Sequence, residues 1–263
     1  MQTHKIILLL LATAFFSCTA SRKLRLPDRQ KNAITGTEFY KKIFSMSWKE
    51  REEIAKKEIL NGNIPGFLKK WVRINTSIVT DDGQKINAHY FVLPDYVSIG
   101  SDEDFARIPL TPMAAQIIAD SLHCFLPTTK MVDEIYRAAA IKLDPVPMYA
   151  FRDSAVTMYQ HHLIIEGQRK LRKGLIAGIK KDVVTTNKLL KDATPNRVAI
   201  YGWHKLNGVP IQPLYTGHVN WYVDYSHGIR LVFQTIYINN KPMNYWEVLG
   251  NKKLRKILTN EEL

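Results

Sequence analysis

Cysteine is scarce: the 263 residues hold two, Cys18 and Cys124. That excludes a disulfide-stapled scaffold and a cysteine-built zinc finger. Acidic side chains are in short supply too, 24 Asp and Glu against 37 Lys and Arg, for a net charge of +13. A surplus of that size points to anionic partners. No RNA-binding signature and no basic run interleaved with stacking aromatics accompanies it, so nucleic acid is not the expected partner. No fixed-period repeat and no Gly/Ser or Pro linker divides the chain. Only one long apolar run occurs, residues 6–16, broken by Thr13. It is too short to span a bilayer, and with Lys5 before it and Ser17, Cys18, Thr19 and Ala20 after it, it has the plan of a secretory signal peptide.

Phe15-Phe16-Ser17-Cys18 resembles a bacterial lipobox of the looser Bacteroidota type, with small Ser17 just before the cysteine. The resemblance covers the first eighteen residues. It implies a lipoprotein whose residues 1–17 are removed and whose Cys18 becomes the acylated (palmitate-type) mature N-terminus. Thr19, where an aspartate would signal retention in the inner membrane, implies the outer membrane and a cell-envelope location. Residues 18–36 then form a basic tether, and the expected partners are the membrane, through the lipid, and an anionic envelope polymer or peptidoglycan. With Cys18 acylated, Cys124 has no partner for a disulfide.

The remaining residues, 37–263, read as a single α+β domain: a mostly antiparallel sheet with helices packed on one side. Residues 37–60 carry a helical pattern interrupted at 45–47, where Ser47 and Glu50 make a capping box. A hairpin follows, turning at Asp82-Gly83, with Val72, Ile74 and Ile78 against Ile86, Ala88 and Tyr90. Asp95, Asp102, Glu103 and Asp104 lack the spacing of an EF-hand and read as loop acids, one of them paired with Arg107. Thr111-Pro112 opens a helix that buries Ile117, Ile118, Leu122 and Phe125, and Thr128 or Thr129 opens another reaching Leu143. Residues 148–172 admit either a strand and helix or an irregular excursion; the adjacent His161 and His162 diverge in both cases. A last hairpin turns at Asn239-Asn240.

The densest chemistry lies in residues 197–233, which hold three of the eight histidines. Alternation predicts a strand with Val198, Ile200, Gly202 and His204 on one face and Ala199, Tyr201 and Trp203 on the other. A second strand would place Trp221, Val223, Tyr225, His227, Ile229, Leu231 and Phe233 on one face, with Tyr222, Asp224, Ser226 and Arg230 opposite. A histidine in the apolar row is either a hydrogen-bonded core residue or a working base held in a cleft. In a regular strand Asp224 and Ser226 point away from His227, which excludes a triad of those three. His204, His218 and His227 have no metal-binding spacing signature, and no cofactor is called for.

The order Cys124, a strand near 181–184, His204, His227 resembles that of the NlpC/P60 cell-wall cysteine peptidases, over about 105 residues and in order alone. The resemblance implies Cys124 as nucleophile, His204 or His227 as base and the other as orienting group. The sequence around the thiol is Leu122-His123-Cys124-Phe125-Leu126, where the family has an Asp-Cys-Ser type of box, and an apolar setting equally suits an inert thiol. Trp203, Trp221, Tyr222, Asp224 and Arg230 are the expected substrate-binding residues, aromatics for stacking and charges for polar groups. Two functions are thus expected as alternatives: an envelope hydrolase acting on a cell-wall, glycan or peptide substrate, and a non-catalytic module binding anionic glycan, peptidoglycan or lipid.

Overall fold

The computed structural model describes residues 24–191 and 194–262. Cys18, the leader and the lipobox lie outside the described residues. In chain order the helices are α1 Gly36–Ile43, α2 Trp48–Leu60, α3 Pro112–Ser121, α4 Thr129–Ala138, α5 Ala155–Arg169, α6 Lys188–Lys191 and α7 Tyr245–Gly250. The strands of the first half are β1 Val72–Val79, β2 Lys85–Val92, β3 Ser98–Gly100, β4 Phe105–Arg107, β5 Cys124–Phe125, β6 Ile141–Lys142 and β7 Ile176–Ala177. Those of the second are β8 Lys181–Val183, β9 Arg197–His204, β10 Pro210–Val219, β11 His227–Gly228, β12 Val232–Phe233, β13 Thr235–Ile238 and β14 Lys241–Asn244. The fold is α+β and mostly antiparallel; β11 on β8 and β6 on β7 are parallel pairs.

Local signals account for most boundaries. Thr35 with Glu38, Ser47 with Glu50, and Asn244 with Glu247 form reciprocal capping boxes that satisfy otherwise orphaned helix N–H groups. Gly83, at φ +79°, allows the turn between β1 and β2, whose register sets Ile74 opposite Tyr90 and Ile78 opposite Ile86. Asn239 and Asn240 take positive φ between β13 and β14, as a two-residue hairpin turn requires. One sheet runs β14-β13-β2-β12-β5 with β1 on β2, and a second runs β10-β9-β8-β11. Two large apolar clusters fill the interior. One gathers Phe39, Tyr40 and Ile59 with Val183, Ile200 and Trp203; the other gathers Ile74, Tyr90 and Val92 with Phe125, Ile135 and Val248.

Several expectations are corrected. β9 pairs with β8 and with β10, a strand in the stretch between the two expected strands, and β10 carries Pro210 and Pro213 because it is a sheet edge where a missing N–H is tolerated. Residues 221–233 break into the short β11 and β12. The break follows from Asp224, whose Oδ1 accepts the Ser226 N–H at 2.8 Å and turns the backbone locally. The 148–172 stretch resolves into a loop and α5, capped by Ser154. Ile117 faces solvent rather than the core, and α4 stops at Ala138 rather than running to 143.

Alternation along β9 also fails at its end. Gly202 and Trp203 take φ of +104° and +55°, so the chain kinks and the side-chain parity changes. Trp203 joins Val198 and Ile200 in the first cluster, and His204 joins Tyr201 on the face toward α4. Only glycine takes such a φ without strain, and an added Cβ would stand 3.2 Å from Val132 Cγ1. Gly202→Ala is therefore expected to cost about 1–3 kcal/mol of stability, read as a lower denaturation midpoint with an unchanged slope. A loss below measurement error would show that the kink relaxes freely.

Candidate functional site

The sheet β10-β9-β8-β11 and the loop before α5 bring together a set of polar groups centred on Asp224. β8 lies between β9 and β11, with Lys181 opposite Gly202 on one side and His227 on the other. The turn preceding β11 carries Asp224, Tyr225 and Ser226, and all three are enclosed. The Ser226 hydroxyl donates to Asp224 Oδ1 at 2.5 Å. Arg152, from the loop before α5, donates through Nε and Nη2 to Oδ2 at 3.2 and 2.9 Å. The Tyr222 hydroxyl donates to the same oxygen at 3.3 Å. His227 Nε2 stands 3.9 Å from Oδ1 and has no hydrogen-bond partner among the described residues. His218, half-buried on β10, has its ring 4.8 Å from that of Tyr222 and 6.1 Å from that of His227.

Burial and charge divide the protonation states. Burial raises the Asp224 carboxyl, but His227, the Ser226 hydroxyl and amide, and Lys181 together reverse that and hold it well below the usual carboxylate range. Burial pushes His227 down to about 4, against an upward pull from Asp224. Burial lowers His218 as well, with Asp224 opposing it. At neutral pH the site thus sets neutral imidazoles beside an ionised carboxylate, an arrangement suited to accepting a proton.

Beneath the turn, Lys180 is fully enclosed. Its ammonium donates to the Tyr225 carbonyl and lies 3.2 Å from His161 Nδ1. Burial first, then Arg107, lower it to about 7. His161 is pushed to about 2 by burial and by Lys180.

The other expected site residues fall elsewhere. Cys124 is a strand residue in the six-stranded sheet, not a helix terminus, whereas His204 and His227 belong to the four-stranded one. Its thiol donates to the Leu122 carbonyl at 3.2 Å, no hydrogen bond joins it to either imidazole, and burial pushes its pKa up. His204 Nε2 lies 3.0 Å from Asp133 Oδ1, which also accepts the Tyr201 hydroxyl at 2.9 Å, and its ring stacks on Tyr136 at 4.4 Å. These contacts hold it to α4, apart from the contacts around Asp224. Trp203, expected to stack on substrate, is in the core. Arg230 is enclosed, donates to the carbonyls of Leu93 and Ile176, and lies over the Tyr96 ring at 4.2 Å, so its guanidinium serves the fold. Trp221 is exposed and Tyr222 half-buried at the site. Asp224, Ser226 and His227, expected on opposite faces, meet because the strand is broken there.

Sequence reading missed Arg152, Lys180 and Lys181. Arg152 sits in the stretch whose secondary structure was ambiguous, and the lysines gave no signal beyond a strand pattern. Among the described residues no group of three or more His, Cys, Asp or Glu is arranged to hold a metal ion, and no helix is long and apolar enough to cross a membrane. No family model, curated protein or solved structure matches the chain.

Proposed function

We propose that the chain is an envelope-anchored hydrolase acting on a cell-wall, glycan or peptide substrate, with His227 as general base. The observation that carries this reading is an enclosed, uncharged His227 beside a buried, ionised Asp224, with half-buried His218 and Tyr222 next to them. In this scheme the His227 imidazole takes a proton from an attacking water, Asp224 steadies the imidazolium that forms, and the imidazolium returns the proton to the leaving group as the scissile bond breaks. The Ser226 hydroxyl is spent on Asp224, which makes Ser226 a positioning residue and leaves water as the nucleophile.

A second reading is a binding module. It is favoured by three exposed aromatics flanking the residues that bond to Asp224: Tyr149 and Phe151 before Arg152, and Trp221 before Tyr222. Incubation with peptidoglycan fragments and glycans separates the two. Release of soluble products supports the hydrolase, saturable binding without release supports the module, and neither outcome would leave both readings without support.

Anchoring rests on the apolar run ending at Ser17-Cys18 and on the basic residues that follow. Cys18→Ala is expected to move the protein from the membrane pellet to the soluble fraction. A variant that stays in the pellet after a high-salt wash would refute acylation at this position.

A further inference from the structure

We infer that the partly exposed surface at Arg152, beside Asp224, recognises a carboxylate on an acidic sugar, held by Arg152 and Lys181. This rests on reading the Asp224 cluster as the substrate site, and it adds the substrate class. The argument begins with the pairing of charges. Asp224 is the one carboxylate bonded within the cluster, and both its oxygens are committed: Oδ1 to the Ser226 amide and hydroxyl, Oδ2 to Arg152 and Tyr222. Lys181, 6% exposed, makes no hydrogen bond through its ammonium to any described residue; it lies 5.5 Å over the Trp203 ring and close enough to Asp224 to help hold that carboxylate ionised. The Lys181 ammonium is not among the enclosed polar atoms that lack a partner, so the tip of this otherwise covered side chain stays open to a ligand. Lys180 does not share this condition, because its ammonium is already bound to the Tyr225 carbonyl.

Arg152 supplies the second contact. Its side chain is 37% exposed and spends Nε and Nη2 on Asp224, leaving Nη1 without a partner among the described residues. Arg152 and Lys181 thus both face the single Asp224 carboxylate, an excess of positive charge that an anionic ligand would offset. A guanidinium that is half-exposed and already fixed in orientation is well placed to take a planar carboxylate. Asp153, the neighbouring acid, is exposed and screened by solvent.

The aromatic rim selects the carrier. Tyr149, Phe151 and Trp221 are 87%, 81% and 47% exposed, on the two segments that supply Arg152 and Tyr222. Large aromatics left in water next along the chain to Arg152 and Tyr222 suit the apolar faces of sugar rings, with the ring's acid group reaching the cations.

Calorimetric titration of the full chain with oligogalacturonate, its methyl ester and an acidic hexapeptide tests this. The free acid should bind at least about tenfold more tightly than the ester, a difference of about 1.4 kcal/mol. Arg152→Gln and Lys181→Met should each erase that preference while keeping the affinity for the ester, and Trp221→Ala should weaken both sugar forms. Arg152 is partly exposed, so its variant stays informative if Lys181→Met fails to fold. Equal affinity for acid and ester, binding of neither, or a preference for the acidic peptide over the sugar would each overturn the inference. Acid preference with no cleavage by wild type would refute the hydrolase while leaving this inference standing.

Discussion

His227→Ala is expected to lower the rate of substrate hydrolysis by about 10²–10⁴-fold, the range spanned by loss of a positioned general base. The rate of the wild type should stay flat from neutral pH down to near 5 and then fall, because burial holds His227 near 4 and a base fails only once it is protonated. An unperturbed histidine would lose its rate near 6.5 instead. The same shift appears in stability. A histidine kept neutral by the fold contributes stability that is complete above its unfolded value of 6.5 and is lost as pH falls toward about 4. Over that window the loss from His227 is on the order of 3 kcal/mol. Urea midpoints at pH 7 and 5 should therefore differ less in His227→Ala than in wild type. Unchanged turnover in a folded His227→Ala would refute the role given to this residue. A purely structural His227 would leave the stability signature and remove the kinetic one.

Arg107→Ala is expected to be the most destabilising single substitution away from the site. Arg107 donates through Nε and Nη2 to the two oxygens of Asp95 at 2.8 and 2.6 Å, and both side chains are 1% exposed. Its Nη2 also lies 2.7 Å from Glu166 on α5, and Arg169 of the same helix stands 3.7 Å from Asp95. Removing the guanidinium leaves Asp95 charged and enclosed, which costs about 3–5 kcal/mol and lowers the melting temperature by on the order of 10 °C. The double replacement Arg107→Met with Asp95→Leu should recover much of that loss, because it removes both charges from the interior. Thermal unfolding followed by circular dichroism distinguishes the cases. A single-variant loss below about 1 kcal/mol would mean that water reaches the pair and screens it.

What was legible in the sequence was local. Ser47 and Glu50, Thr111 and Pro112, Asp82-Gly83 and Asn239-Asn240 act within a few residues of themselves, and each marks the boundary it was expected to mark. The pairing of Arg107 with a neighbouring acid was also readable, since twelve positions separate it from Asp95. The site was only half readable. His227, Asp224, Tyr222 and Trp221 were named from their types, but their arrangement was not, because apolar alternation through 221–233 is what a strand requires and an Asp turning its own backbone leaves no trace in periodicity. Trp203 and His204 were assigned to the wrong faces for a related reason: two positive φ angles exchange the parity, and Gly202 was the single hint. Arg152 and Lys181 reach Asp224 from distant segments, and distance along the chain hides that from any local pattern.

The parallel pairing of Lys181 with His227, and the bond from Arg152 to Asp224, also govern when the site comes into being. No hairpin joins these segments; parallel strands meet only after the chain between them has packed. A nascent, truncated or unfolded chain therefore carries the side chains without their arrangement. Cleavage between α5 and β11 would be expected to separate Lys181 or Arg152 from the turn they serve. The arrangement around Asp224 is a property of the finished fold, and a fragment ending before residue 227 would lack β11 and its pairing with Lys181.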